Sequence, residues 1–338
     1  MRKLRILVLM HKDFIPPDQA TQREREVAPW KTEFDVVYTL KQSGHEVLPL
    51  GVISNLEQII DALANFKPHV VFNLLEEFDG ESVFDQNIVS YLELKRVAYT
   101  GNGPHGLMLG RDKALSKKIL QYHRIAVPKF QVVPLRRQVK RRSSLNFPLF
   151  VKSVSEEASL GISQASLVTN DQKLKERVEF VHDHIGTDAI IEQYIDGREI
   201  YVGVLGNSRL EVLPPCELIF GKSAQDMPKI ATSKIKHSAA YREKHDIDTT
   251  SIELEEPLKT TVNKMCKRAF KHLYLQGYAR FDLRIDHHGT PFILEANPNP
   301  DIAEIEDFAI SAYYADIEYP ELLERIIRLG ISRQKKKA

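Results

Sequence analysis

Short apolar runs and amphipathic stretches alternate along the first hundred residues. Residues 4–10 (LRILVLM), 46–50 (EVLPL) and 69–73 (HVVFN) have the length and apolar content of buried strands. The stretches around 27–43 and 55–65 have the pattern of helices. Strands that alternate with helices predict a small parallel α/β unit.

The later residues have a different pattern, with paired strands and longer helices. Residues 188–206 predict two strands joined as a hairpin at Asp196-Gly197. Residues 217–250 are polar and weakly patterned, which is typical of a lid or a disordered segment. The other predicted elements are a helix capped by Asp112, a strand at 147–154, and helices at 255–276 and 319–330.

The segment ARFDLRIDHHGTPFILEANPNP, residues 279–300, predicts a hairpin that turns at His288-Gly289. With a two-residue turn, one face would be apolar, pairing Phe281 with Ala296, Leu283 with Leu294, and Ile285 with Phe292. The other face would pair Asp282 with Glu295 and Arg280 with Asn297.

Two carboxylates that face each other across a hairpin repel, so something must offset their charge. A shared proton, the neighbouring Arg280 and Arg284, or a bound cation would each do so. Two carboxylates and an amide are hard oxygen ligands that suit Mg²⁺, which usually keeps water or phosphate in its other positions. The hairpin therefore predicts a metal–phosphate site, and a solvated face neutralised by arginines is the alternative.

Two lysines occupy positions that suit phosphate binding. Lys113 falls in the first turn of the helix after Asp112, where a cation opposes the helix dipole and a nearby anion would help. Lys152 ends an apolar run, which predicts that it points into a cleft or to a sheet edge. For Lys113 an ordinary surface lysine is the alternative interpretation.

Composition narrows the class of protein. The 338 residues are 28% charged and 43% hydrophobic with a net charge of +1, which is ordinary for a globular protein and gives no general attraction to nucleic acid. The basic run 136–142 lacks interleaved aromatic residues and predicts a solvated loop. No run approaches the ~18 apolar residues of a membrane span. Cys216 and Cys266 suit a reducing compartment, so we expect a cytoplasmic protein without nucleic-acid or membrane partners.

A dinucleotide-binding oxidoreductase would share the N-terminal pattern, but HKDFIPPDQ follows the first strand instead of a glycine-rich turn. Other motifs occur in a recognisable order. They are VFNLLEEFDGES, GRDKALSKKIL, FPLFVKS, IIEQYIDGREIYVGVLG, ARFDLRID and FILEANPNP. Together with EREV at 24–27, they resemble the ATP-grasp superfamily, and most closely its D-alanine–D-alanine ligase branch.

The resemblance covers nearly the whole chain and implies an α/β (α+β) ATP-grasp fold. The implied parts are a Rossmann-like parallel α/β domain at 1–102, a small central domain at 103–195, and a C-terminal α+β domain at 196–332. A basic tail at 333–338 is expected to be disordered. ATP would be held between the central and C-terminal domains.

The resemblance also implies residue roles. Lys113 and Lys152 would contact the nucleotide phosphates, and Glu199 would hold the ribose. Adenine would be recognised by Glu192 and by the backbone at Tyr194 and Ile195. Two Mg²⁺ ions, which Mn²⁺ can replace, would be bound by Asp282, Glu295 and Asn297. The catalytic residues would be Arg280, Glu24 and a lid lysine, which is Lys236 or, in a shifted alignment, Lys234.

These roles imply an ADP-forming ligase that joins a small-molecule carboxylate to an amine through an acyl phosphate, in a chain that is a possible homodimer. An authentic D-alanine–D-alanine ligase with an altered pocket is one alternative. An ATP-binding regulatory module without turnover is another.

The substrate half departs from the family pattern. The Gly-Gly turn after the first strand is missing, and Asn73 stands where the family has a histidine. Ala158, followed by Ser159, stands at the position of a substrate-orienting serine. Asp301 replaces a glycine, and Glu306 lies near the serine that receives the second substrate's carboxylate.

An acidic residue at that place would repel a carboxylate. We therefore expect an acceptor amine that lacks this carboxylate or carries a positive charge. The alternative is that Glu304 and Glu306 lie outside the pocket.

Overall fold

The chain forms three β-sheets with helices packed on them. A computed structural model describes residues 3–21, 24–25, 28–155, 161–221, 229–232, 235 and 239–337. One sheet is parallel and two are antiparallel, which confirms the predicted α/β (α+β) class. Within the described part of the chain, no helix combines the length and hydrophobicity needed to span a bilayer.

The N-terminal sheet has the strand order β2-β1-β3, and all three strands are parallel. Its strands are β1 (Arg5–His11), β2 (Glu46–Val52) and β3 (Val70–Asn73), and its helices are α1 (Lys31–Gln42), α2 (Leu56–Phe66) and α3 (Asp85–Leu94). Alternate residues of β1 point to opposite faces. Leu7 and Leu9 therefore pack towards α2 and α3, whereas Ile6, Val8 and Met10 face the other side.

The C-terminal helix α10 (Tyr319–Lys337) covers this second face of the parallel sheet. Leu322, Leu323 and Ile326 are fully buried against it. The helix continues past 330, and the expected disorder from residue 333 is wrong at Arg333. The Arg333 guanidinium donates to the carbonyls of Gly101 at 2.6 Å and Tyr99 at 2.9 Å, which gives the end of the helix a buried anchor.

The second sheet is antiparallel, with the strand order β4-β7-β5-β6. Its strands are β4 (Phe130–Val133), β5 (Leu149–Ser153), β6 (Leu167–Val168) and β7 (Ala189–Gln193). The helices α4 (Pro104–Arg111) and α5 (Lys113–Tyr122) precede it, and α6 (Asp171–Phe180) packs on it. Asp112 caps α5 as predicted, because its Oδ1 accepts from the backbone N–H groups of Ala114 and Leu115.

The third sheet is antiparallel, with the strand order β11-β10-β8-β12-β13 and β9 paired to β8. Its strands are β8 (Gly197–Gly206), β9 (Leu210–Val212), β10 (Cys216–Phe220), β11 (Ile247–Ser251), β12 (Gly277–Asp286) and β13 (Pro291–Pro298). The helices of this region are α7 (Ala239–Lys244), α8 (Leu258–His272) and α9 (Asp307–Tyr313). One face of the sheet packs on α8 through Val262, Cys266 and Phe270.

The two strands predicted within 188–206 are present, but they do not form a hairpin. β7 pairs with β4 and β5 in the second sheet, whereas β8 pairs with β10 and β12 in the third. The turn at Asp196-Gly197 is therefore a crossover between sheets, and it brings the end of β7 close to the start of β8.

The β12–β13 hairpin is present, with a register that differs from the prediction near its turn. The loop has three residues, 287–289, because the N–H of Asp286 donates to the carbonyl of Thr290. The Asp286 carboxylate also accepts from the backbone N–H groups of His288 and Thr290. A bulge at Leu294 then restores the expected pairing.

The predicted partners at the open end of the hairpin are therefore confirmed, and those near its turn are wrong. Asp282 faces Glu295, Arg280 faces Asn297 and Phe281 faces Ala296, whereas Leu283 faces Ile293 and Ile285 faces Pro291.

Asn102 connects the N-terminal sheet to the hairpin. Its fully buried side chain donates to the carbonyl of Tyr278 at 2.7 Å and accepts from the N–H of Gln276 at 2.8 Å. Its own N–H donates to Asn299 Oδ1 at 2.8 Å. These bonds fix the start of β12 and the exit of β13 relative to the rest of the chain.

Asn102→Ala is predicted to lower the free energy of unfolding by about 2–4 kcal/mol, because it leaves a buried N–H and a buried carbonyl without partners. Urea denaturation of the purified chain measures this. Asn146→Ala removes the same atoms from an exposed position and is expected to change stability by less than about 0.5 kcal/mol. Equal effects of the two variants would contradict the assignment.

Candidate functional site

A cleft of about 570 Å³ lies between the two antiparallel sheets. β5 and β7 supply Lys152 and Glu192 on one side, and β8 supplies Glu199 on the other. The backbone segment that contains Tyr194 and Ile195 connects the two sides. The remaining charged groups of the lining come from the hairpin and are Asp282, Arg284 and Glu295.

A buried cluster of charges forms the wall of this cleft. Glu192 lies between two lysines, with Lys117 Nζ 3.0 Å from Oε1 and Lys152 Nζ 3.5 Å from Oε2. Lys152 also lies 3.4 Å from Glu295 on β13, so the cluster links the second and third sheets. Lys117 further donates to the carbonyl of Leu294, the extra residue of the bulge.

The charges in this cluster hold one another in the ionised form. Burial raises the pKa of Glu192, but Lys117 and Lys152 outweigh it, and the pKa lies below its usual value. Burial likewise opposes the charged form of Lys152, yet Glu192 and Glu295 raise its pKa above the usual value. For Lys117 burial dominates and lowers the pKa, since only Glu192 is close enough to compensate strongly.

Arg284 organises the opposite wall. Its guanidinium donates to Glu199 Oε2 at 2.8 Å and to the carbonyl of Ile195 at 2.9 Å, and it lies 4.8 Å from the ring centre of Tyr194. A further bond reaches the carbonyl of Lys229. One arginine therefore fixes the crossover segment and Glu199, the carboxylate predicted from the sequence to hold the ribose.

The open end of the hairpin brings together the predicted metal ligands. Asp282 Oδ1 accepts from Arg280 Nε at 2.8 Å and from Asn297 Nδ2 at 3.0 Å. Arg280 lies 5.0 Å from the ring centre of Tyr201 and 3.8 Å from Asp307. Burial opposes its charge, but Asp282 and Asp307 raise its pKa. Burial conversely raises the pKa of Asp307.

These residues fit a magnesium site by the chemistry of their donors. Among the described residues, no group of three or more His, Cys, Asp and Glu side chains is placed to hold a metal ion. A metal at the hairpin would therefore rely on two facing carboxylates and an amide oxygen. That set suits an ion that keeps water and phosphate oxygens as its other ligands.

The other predicted site residues are Lys113, Glu24 and the candidate lid lysines, and their environments differ. Lys113 is buried at the start of α5. Glu24 is exposed and accepts from the hydroxyl of Thr21 at 2.6 Å, which lowers its pKa. Lys234 and Lys236 lie outside the described residues, as do Ala158 and Ser159.

A second and larger cleft, of about 1760 Å³, opens between the parallel sheet and the residues that follow β13. Asn73 at the end of β3 and Asp301 line it, together with Arg111 and Tyr278. Glu304 and Glu306 are not part of its lining. Glu306 instead forms an ion pair with Lys31, which neutralises the repulsion expected at that position.

Acidic side chains outnumber basic ones in the lining of this second cleft. They are Asp13, Glu33, Glu76, Glu77 and Asp301. Burial, with the nearby Glu76 and Asp301, raises the pKa of Glu33 to about 8. No described residue forms an ion pair with Glu33. Its carboxyl group is therefore uncharged over much of the neutral range unless a cation arrives.

Sequence inspection missed three residues that organise these clefts. Lys117 lies one helical turn after Lys113 on α5, a spacing that puts both on one helix face. Arg284 was considered only as a neutralising neighbour of the hairpin carboxylates. Nothing in the sequence around Glu33 marks it, because its environment depends on residues from three distant segments.

Comparisons with known proteins agree on one family. Residues 119–328 match the family model described as the D-ala D-ala ligase C-terminus. An uncharacterized protein of Sinorhizobium fredii is 33% identical over 314 residues, which cover 90% of each chain. The D-alanine–D-alanine ligase of Pelotomaculum thermopropionicum is 28% identical over 91% of this chain and 93% of its own.

Solved structures show the same fold. The D-alanine–D-alanine ligase of Bacillus anthracis complexed with ATP superposes with a TM-score of 0.74 at 23% identity, over 99% of this chain and 100% of that one. The enzyme of Coxiella burnetii superposes with a TM-score of 0.72 at 21% identity, over 99% and 97% of the two chains. These matches confirm the predicted ATP-grasp architecture.

Lys117→Met is predicted to destabilise the chain by about 3–5 kcal/mol, because the buried Glu192 loses its nearer cation. The double variant Lys117→Met/Glu192→Leu removes both charges and is expected to recover much of this loss. Chemical denaturation measures both. Lys175→Met breaks an exposed pair with Glu179 and should have no measurable effect. A double variant as unstable as the single one would contradict this account.

Glu33→Gln is predicted to stabilise the chain increasingly as the pH rises from 5 to 9. The folded state holds a proton on Glu33 up to a pKa of about 8, whereas the unfolded state releases it near 4.5. Wild-type stability is therefore lost over this window, by roughly 4 kcal/mol, and glutamine abolishes the loss. Denaturation at several pH values measures the difference between variant and wild type. A difference independent of pH would show that Glu33 is ionised in the fold.

Proposed function

The chain belongs to the D-alanine–D-alanine ligase family of ATP-grasp ligases, which form carbon–nitrogen bonds, and we propose that it joins a small-molecule carboxylate to an amine through an acyl phosphate. The observation on which this rests is one cleft lined by Lys152, Glu192, Glu199 and the hairpin carboxylates, with Lys117 buried behind Glu192. ATP is the proposed energy source.

We assign the nucleotide to the cleft between the antiparallel sheets. The crossover at Tyr194 and Ile195 would offer backbone groups to the adenine ring, and Glu199 would accept hydrogen bonds from the ribose hydroxyls. Lys152 and Lys113 would contact the phosphates. Lys117 would keep Glu192 charged and in place, which makes it a positioning residue rather than a phosphate ligand.

The reaction needs positive charge more than it needs a covalent catalyst. A carboxylate is a poor electrophile, so transfer of the γ-phosphoryl group of ATP to it produces an acyl phosphate that an amine can attack. The amine displaces phosphate through a tetrahedral intermediate. Arg280, held at the open end of the hairpin by Asp282 and Asp307, would stabilise the charge that develops in both steps.

The metal assignment follows the donors already described. Asp282, Glu295 and Asn297 would hold Mg²⁺, which would neutralise the phosphate oxygens when bound. Arg280 would then keep Asp307 as its charge partner while Asp282 turns to the ion. We retain Lys236 as the proposed lid lysine and Glu24 as a substrate-side residue, on the basis of the sequence motifs alone.

An authentic D-alanine–D-alanine ligase is the second candidate. Several relatives between 26% and 30% identical carry that name, including the enzyme of Desulforudis audaxviator. Against it, the second cleft contains Asp301 and Asn73 at the positions where the family pattern has glycine and histidine. Dimer formation stays a prediction, as do the cytoplasmic location and the absence of nucleic-acid partners.

The test is ADP formation with Mg²⁺ across a panel of amino acids and amines, coupled to mass spectrometry. A product whose mass equals two substrates less water establishes the ligase, and D-alanyl-D-alanine from D-alanine alone identifies the second candidate. Chelation of Mg²⁺ should abolish turnover, and readdition should restore it.

Glu295→Gln and Asp282→Asn are predicted to lower the turnover number at least about a hundredfold, because each removes a carboxylate that would hold the Mg²⁺ needed to neutralise the phosphate oxygens. Glu253→Gln, an exposed change on the same domain, serves as the matched control and should retain full activity. Wild-type protein that binds ATP yet forms no ADP with any substrate would contradict the proposal.

A further inference from the structure

We propose that the second cleft holds the amine substrate through a positively charged group in addition to its reacting nitrogen. This inference rests on the proposed function, because it names the chemical class of the amine that the proposed ligase would use. The lining of this cleft includes Asn299 and Pro300, which directly follow β13, the strand that carries Glu295 and Asn297.

The charge balance of the cleft supports a cation. Five carboxylates line it, whereas its only basic groups among the described residues are His11 and Arg111. Both are already engaged. Arg111 lies 2.7 Å from Asp85, and His11 Nε2 lies 3.5 Å from Glu77. A bound carboxylate would therefore meet net negative charge, whereas a bound ammonium would be attracted to the acidic lining.

Two of those acids form no ion pair with a described residue, and Lys31, which pairs with Glu306, also interacts electrostatically with one of them, Asp301. Thr32 and the N–H of Ala303 donate hydrogen bonds to Asp301, and no described residue forms an ion pair with it. Glu33 is likewise without an ion pair, and only 6% of it is exposed. An ammonium group near both would restore the balance, and it would make the ionised form of Glu33 favourable.

Asn73 provides an independent indication of a ligand. It lines the cleft at the end of β3 and is only 2% exposed. Its Oδ1 has no hydrogen-bond partner among the described residues, which is unusual for a buried amide oxygen. This oxygen, at the wall of an acidic cleft, could accept a hydrogen bond from an N–H group of a ligand. An ammonium group supplies up to three such N–H donors.

The competing occupant is an amino acid bound through its carboxylate. That group would need arginine, lysine or serine donors. The basic groups that line the cleft are paired with acids of the chain itself, which leaves Ser82 as the one such donor of the described lining that carries no charge. The nearest lysine on α1, Lys31, is paired with Glu306. The described residues therefore favour the cation.

Calorimetric titration tests this with three four-carbon probes that differ only at one end: putrescine, n-butylamine and γ-aminobutyrate. We expect putrescine to bind at least tenfold more tightly than n-butylamine and γ-aminobutyrate to bind weakest. Glu33→Gln, which preserves shape, and Asn73→Ala should each reduce the putrescine preference at least fivefold. Glu304→Gln changes the same charge outside the lining and should leave it unchanged.

Equal or tighter binding of γ-aminobutyrate would overturn the proposal, and so would a putrescine preference that survives both Glu33→Gln and Asn73→Ala. ADP formation, measured separately, distinguishes this from failure of the ligase. A putrescine preference that depends on Glu33, without ADP formation from any amine, would support the cleft assignment and contradict the catalytic one.

Discussion

The placement of one buried carboxylate sets the geometry of the nucleotide cleft. Glu192 is desolvated on β7, and a charge in that position is tolerated only with close partners. Lys117 comes from α5, Lys152 from β5, and Lys152 reaches on to Glu295 of the hairpin. The loss of any one of these ions would leave another buried charge without its partner. The cluster therefore fixes α5 and both antiparallel sheets relative to one another. These charges add to the apolar packing of Leu120 of α5 on the third sheet.

This cluster suits a site in which bound ligands replace some of the ion pairs. Lys117 and Lys152 balance Glu192 and Glu295, so the cluster is close to neutral before any ligand arrives. The proposed binding of phosphate and Mg²⁺ would replace one set of pairs with another: Lys152 would turn towards phosphate while Glu295 turns towards the metal. Exchange of this kind costs less than creating new buried charge, because each ion keeps an opposite charge nearby throughout.

Local pattern predicted much of the fold, and contacts between distant segments account for what it did not predict. The strands β1, β2 and β3, the Asp112 cap and the pairing of Asp282 with Glu295 follow from spacing and turn chemistry. The hairpin pairing was right only at its open end, since the three-residue turn and the bulge at Leu294 compensate for each other. No local signal separates β7 from β8, because a crossover and a hairpin have the same sequence pattern at Asp196-Gly197.

The strand β13 serves both clefts, and this makes their charges interdependent. Leu294 and Glu295 line the first cleft, whereas Asn299 and Asp301 line the second. The reversal between them depends on Asn299, whose left-handed backbone and bond to Asn102 fix the direction of the chain. Carboxylates on both sides of so short a segment would repel an anionic acceptor without strong compensation. A cationic acceptor would instead be attracted to the edge where the proposed acyl phosphate forms. Under the proposed function, the charges that require cations in the first cleft would therefore also select the substrate in the second.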